Sequence, residues 1–275
     1  MFTRILFSII TKIKPRHKNL NHKELAELYA NFIRLYRNLY KADDIDVSYD
    51  VRFVDDIYSS ALSLCMNDEE CSQFIDNECE VKKLTGLLIQ PTESDALFHL
   101  LIRKARSNIT ADLCRTVCHE YTHYIDYSAY MKKYNLKNLR KIPNIDDYPA
   151  FYFISEYRAT CRGLLARFEY SRDMKNNKLY CENNIEVEYA SCLQQLQSKI
   201  SSECYTAFYS LARAFGFHHA INIYYNKQEN LPEFLREGGL EKLYDLVTTT
   251  FYSHDLFPNI NLILDELKTL ASLNK

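Results

Sequence analysis

The residues best suited to chemistry are concentrated in one run, HEYTH, His119 to His123. Residues four apart stand one turn apart on the same face of an α-helix. His119 and His123 can therefore turn both imidazoles toward one metal ion, as histidines at this spacing do for zinc. Glu120 lies about 100 degrees round the helix from His119, too far to share the ligand set easily. It is placed instead to reach water in an open coordination position. A metal draws the pKa of such water toward neutrality, and a carboxylate beside it accepts the proton. This division of tasks accounts for two imidazoles and one carboxylate.

Two histidines do not complete a catalytic zinc site; a third protein ligand is needed, with a place left for water. The best candidate is Glu156 in FISEYRATCRGLL, 33 residues after His123. Glu156, Ala159, Thr160 and Gly163 share one helical face, and its small residues let two helices approach closely. Asp126, on the same helix as the histidines, is a less favoured ligand because of crowding.

On these residues, HEYTH followed by SEYRA, the chain resembles the zincin metallopeptidases. Among them it is similar to the gluzincins, whose third ligand is a glutamate on a following helix. It is also similar to peptidases of the ImmA/IrrE type, where E-x-x-A follows HExxH. The resemblance spans about residues 96–165 of the 275. It implies a zinc-dependent peptidase holding one zinc ion per chain on His119, His123 and Glu156, with Glu120 as general base. Thr160 stands where many gluzincins have an aspartate that orients a histidine, so that support must come from elsewhere. Asp126, Asp146 and Asp147 are candidates. Asp126 also replaces the metzincin glycine, and no third histidine follows at the metzincin spacing.

Peptide hydrolysis calls for a Tyr or His that donates to the developing oxyanion. Of His218 and His219 in FGFHHAINIYY, His219 is taken as the catalytic candidate. The 22 tyrosines offer no basis for choosing one. His99 reads as a plain strand residue and Cys114 and Cys118 as small core residues; Arg158 and Arg162 could pair with carboxylates or a substrate terminus, with solvated or ion-paired surface the favoured reading.

The elements that must position these residues follow from periodicity. The first residues, MFTRILFSIITKIK, set Phe2, Ile5, Leu6, Ile9, Ile10 and Ile13 on one helical stripe. Docking on the domain's own core is the favoured role for that stripe, ahead of contact with a membrane surface. A second helix is expected from about Lys23 to Tyr40, then strands in DIDVSYDVRFV, VKKLTGLLIQ and ALFHLLIRK. The last is expected as a substrate-binding edge strand. The motif helix runs to about Lys133, with Thr110 as N-cap and Asp112 in its first turn. After a polar loop comes a helix over about Ala150–Tyr170, then a linker, SRDMKNNKLYCENN, and a helical remainder from Ile185. The fold class is α+β, mainly helical with a small sheet. Residues 1–44 form N-terminal helices, 45–175 the metal-binding core and 176–275 a helical C-terminal subdomain, together one compact unit.

Composition excludes some classes. A net charge of −2 does not support a sequence-independent grip on nucleic acid. No run approaches the ~20 apolar residues of a spanning helix. Nine cysteines without a CxxC pair suit reduced thiols in a cytoplasmic protein. The expected partner is a protein or peptide substrate. Two rivals remain: a zinc-holding regulatory or interaction module without turnover, and a helical interaction protein whose histidines are structural.

Overall fold

The computed structural model describes residues 20–41, 49–65, 74–91, 97–104, 110–137, 145–172, 175–199, 204–251 and 257–273. The expected helix over residues 1–14 lies outside them.

Helix α1, His22–Tyr40, forms because apolar residues recur at helical spacing and its start is capped. The Asn21 side chain accepts the Glu24 N–H, and the Glu24 carboxylate accepts the Asn21 N–H. Such a box is worth about 1 kcal/mol. Its apolar face buries Leu25, Leu28, Phe32, Ile33 and Tyr36.

Strands β1 (Tyr49–Val54), β2 (Gly86–Ile89) and β3 (Phe98–Arg103) form a mixed sheet in the order β1-β3-β2. β1 runs parallel to β3, with Tyr49 opposite Phe98. β2 runs antiparallel to it, with Leu88 opposite Leu100. The segment ALFHLLIRK is thus the central strand and not the expected edge. Its residues from Phe98 to Ile102 are all buried, which suits a strand covered on both faces. The edges are β1 and β2. Two short helices, α2 (Ile57–Leu62) and α3 (Glu78–Val81), stand in the β1-to-β2 connection, where periodicity gave no expectation. They bury Ile57, Ala61 and Val81 against Leu101 and Ile89 on one face of the sheet.

The other face meets α4, Thr110–Tyr134. Thr110 is the first residue of this helix and not a cap ahead of it. Then follow α5 (Tyr148–Ser171), α6 (Lys175–Lys199), α7 (Cys204–Tyr225), α8 (Glu233–Glu237), α9 (Glu241–Thr248) and α10 (Ile260–Leu273). The expected linker therefore turns helical from Lys175. α5 is the axis of the fold and packs on α4, α6, α7 and α10. Nearly every side chain along it is buried, including Arg158, Arg162 and Arg167. The surface reading of Arg158 and Arg162 is therefore overturned. Both lie inside because Asp126 supplies charge beside them and Tyr36 and Phe251 supply acceptors for Arg162. The chain is mainly helical with a small mixed sheet, and one apolar core joins α1, β3, α4 and α5 to the C-terminal helices.

Candidate metal centre

Close helix packing brings the ligands together. A Cβ added at Gly163 of α5 would stand 2.9 Å from the Arg115 carbonyl oxygen and 3.3 Å from the His119 Cβ. Only a glycine there lets α5 lie this near α4, and Glu156 sits two turns earlier on the same face. The small-residue face read from sequence is thus the contact that delivers the carboxylate.

His119, His123 and Glu156 place one donor atom each within 4.8 Å of one another. The Nε2 atoms of the two histidines are 3.1 Å apart. Glu156 Oε2 lies 3.3 Å from His123 Nε2, and Oε1 lies 3.9 Å from His119 Nε2. Two donors at about 2.0–2.1 Å from a tetrahedral ion are separated by about 3.3 Å. The imidazole pair and the His123–Glu156 Oε2 pair lie near that value, and the three groups are positioned to hold one metal ion.

Protonation favours the same role. Burial drives the His119 imidazole down to about 3, so it is neutral with a free lone pair near pH 7. Burial opposes the charge on Glu156, but His119 and His123 hold its carboxyl down at about 2, ionised. His123 is shifted upward: burial works against its charge, and Glu156, Glu120 and Asp126 outweigh it. A metal ion takes the place of that proton.

The partner that orients His123 is Ser155, whose hydroxyl lies 2.9 Å from Nδ1. Sequence reading missed it, although it directly precedes Glu156. Asp126 stands behind Ser155, fully buried, with Oδ1 3.5 Å from an Arg158 nitrogen. Asp147 accepts from the Tyr130 and Tyr134 hydroxyls instead, and Asp146 is exposed. Thr160, where an orienting aspartate was missing, donates to Glu156 Oε1 at 3.3 Å.

Glu120 turns to the sheet. Its Oε2 accepts the backbone N–H of Leu88 on β2 at 3.1 Å. A Cβ at Gly86 would come within 2.9 Å of the Glu120 Cγ and 2.5 Å of the Thr116 Cγ2. β2 thus lies directly on the motif helix, and the Leu88 N–H points away from β3. Burial raises the Glu120 carboxyl to about 7, with the Leu88 N–H pulling the other way.

From the far side α7 contributes two residues that sequence reading did not single out. Tyr209 and Arg213 lie one turn apart on α7, with the guanidinium 5.5 Å from the ring centre. The charge on Glu156, ahead of burial, pushes the Tyr209 phenol up, and Glu120 adds to this. Arg213 acts electrostatically on both His119 and Glu156. His219 is held elsewhere on α7. Its Nδ1 bonds the Tyr157 hydroxyl and its ring packs against Phe251 and Tyr244. His218 bonds Tyr189 and the Glu229 carbonyl. His99 lies in β3 with Asp50 3.4 Å away. Cys114 and Cys118 face the Ala166 and Phe32 carbonyls, inside the core.

No helix among the described residues is long and apolar enough to cross a membrane. No family model, curated protein or solved structure matches this chain.

Proposed function

We propose that the chain is a zinc-dependent peptidase whose site is built on His119, His123 and Glu156, with Glu120 as general base. The observation that carries this reading is the pairing of two things at one place. A three-donor set that could hold one metal ion stands beside a carboxylate that is aimed along the edge of the sheet. A site that only stored a metal would need the first and not the second.

Bound there, zinc supplies Lewis acidity, lowering the pKa of water and polarising a carbonyl. The chain's own residues do the rest. Glu120 removes a proton from the attacking water and returns it to the leaving amine. An extended peptide pairs along the outer edge of β2, displacing the Glu120 carboxylate from the Leu88 N–H that it holds in the free protein. Tyr209 is the donor proposed for the oxyanion, since the charges of Glu156 and Glu120 both act on its phenol. His219 already has Tyr157 as its partner. We assign the protein to the cytoplasm on its cysteine usage.

The test is zinc content and peptide hydrolysis measured together on wild type, His123→Ala and Glu120→Gln. The reading expects about one zinc per wild-type chain, lost in His123→Ala and kept in Glu120→Gln. Hydrolysis should fall about 10²–10⁴-fold in Glu120→Gln. Zinc held by a wild type that cleaves no member of a broad peptide mixture would favour the rival, a zinc-holding interaction module.

A further inference from the structure

The guanidinium groups around the metal centre other than that of Arg213 each have a carboxylate or two buried acceptors on the chain. Arg115 bonds Glu188, and Arg167 bonds Glu188 at 2.8 Å and approaches Asp112 at 3.2 Å. Arg158 faces Asp126, and Arg162 is satisfied by Tyr36 and Phe251. Arg213 differs. Among the described residues no carboxylate lies within ion-pair distance of it, and Tyr209 is a hydrogen-bond partner of its guanidinium. The acid that acts on it most is Glu156, whose charge a bound metal would engage.

The position of Arg213 is fixed by helix packing. A Cβ at Gly216 would meet the Tyr157 carbonyl oxygen at 2.7 Å and the Thr160 Cβ at 2.8 Å, so α7 rests on the turn of α5 that carries Glu156. Arg213 and Tyr209 stand one and two turns before Gly216 on that face. Both are only half-buried, as are Arg115 and His119 opposite. A half-buried, pre-oriented guanidinium without an anion, beside a metal centre, is suited to take one from the substrate.

We infer that Arg213, supported by Tyr209, is a specificity-determining residue that binds a carboxylate on the residue next to the scissile bond. The inference rests on the peptidase reading and names its substrate class: peptides with a negative charge there, either a free C-terminus or an acidic side chain. Arg213 is poised to bind both oxygens of such a group in a forked pair, which a neutral amide could not match.

The test uses equilibrium binding of three dipeptides capped with a hydroxamate, a metal-binding group, to the zinc-loaded protein. One ends in a free carboxylate and one in an amide; the third ends in an amide but carries a glutamate side chain. We expect wild type to bind one of the charged forms about tenfold more tightly than the neutral form. The tighter of the two identifies the source of the charge. In Arg213→Gln, with zinc content unchanged, the preference should shrink to about twofold or less. Equal affinity of wild type for all three overturns the inference and leaves the peptidase reading standing. A preference that survives unchanged in Arg213→Gln overturns the assignment to Arg213. Failure of zinc-loaded wild type to bind any of them overturns the peptidase reading itself.

Discussion

At the scale of single residues, the metal centre depends on groups that hold the ligands as much as on the ligands. Ser155 is the partner of His123 Nδ1, and loss of such a partner lowers metal affinity about 10–100-fold. Ser155→Ala should do so in a competition titration against a zinc chelator, with the fold unchanged by circular dichroism. An affinity equal to wild type would mean that His123 is oriented by packing alone. Protonation gives a second prediction. His119 is already neutral and Glu156 already ionised near pH 7, whereas His123 is held above its ordinary value. In the metal-free protein His123 therefore contributes stability below its unfolded pKa, and this is lost as pH rises through the raised folded value. Zinc must displace that proton, so zinc affinity rises with pH over the same window. Calorimetry in buffers of different ionisation enthalpy should register proton release on zinc binding, smaller in Glu120→Gln because Glu120 helps hold the His123 proton. No release at pH 7 would mean that His123 is neutral before the metal arrives.

At the scale of elements, glycines set the distances between helices and strand. Gly163 admits α5 to α4 beside His119, and Gly86 admits β2 to α4 beside Glu120. The two positions are expected to separate metal binding from base placement. Gly163→Ala must push on the Arg115 carbonyl and the His119 Cβ, which should cost about 1–3 kcal/mol of stability and weaken zinc. Gly86→Ala meets the Thr116 methyl and the Glu120 side chain. It should leave zinc affinity near wild type while hydrolysis falls, because the base and the strand it touches are displaced together. Denaturant midpoints and chelator titrations on both variants decide this. Equal zinc loss in the two would show that the elements do not act separately.

At the scale of the whole molecule, α5 ties the metal centre to both ends of the described chain. Arg162 donates to the Tyr36 hydroxyl of α1 and to the Phe251 carbonyl beyond α9, while its own carbonyl accepts the Tyr40 hydroxyl. It also offsets the buried charge of Asp126, whose carboxyl is pushed up by burial against the pull of Arg158 and Arg162. Arg162→Met would take this donor from the Tyr36 hydroxyl and the Phe251 carbonyl and leave Asp126 with less opposing charge, at a cost of about 3–5 kcal/mol. Urea denaturation should show that loss as one cooperative transition, because one apolar core joins α1, α4 and α5 to the C-terminal helices. A loss under about 1 kcal/mol would mean that water replaces the guanidinium.

Much of this was legible in the residues themselves. The i, i+4 histidines, the carboxylate between them and the small-residue face that delivers Glu156 are consequences of helical periodicity, which is local. So are the mainly helical class and the apolar face of α1. The order of the strands is not local: ALFHLLIRK reads the same as an edge or as a centre, and only pairing on both sides made it the middle of the sheet. Arg158 and Arg162 read as surface because burial of a guanidinium depends on a carboxylate and on carbonyls distant in sequence. Ser155, Tyr209 and Arg213 carry no motif, and their roles arise from helix packing, two of them from α7 resting on α5 through Gly216. Periodicity along the chain determines which atoms can share a metal ion. Which atoms hold, face and surround that ion is decided by contacts between helices far apart in sequence, and these exist only once the core has closed.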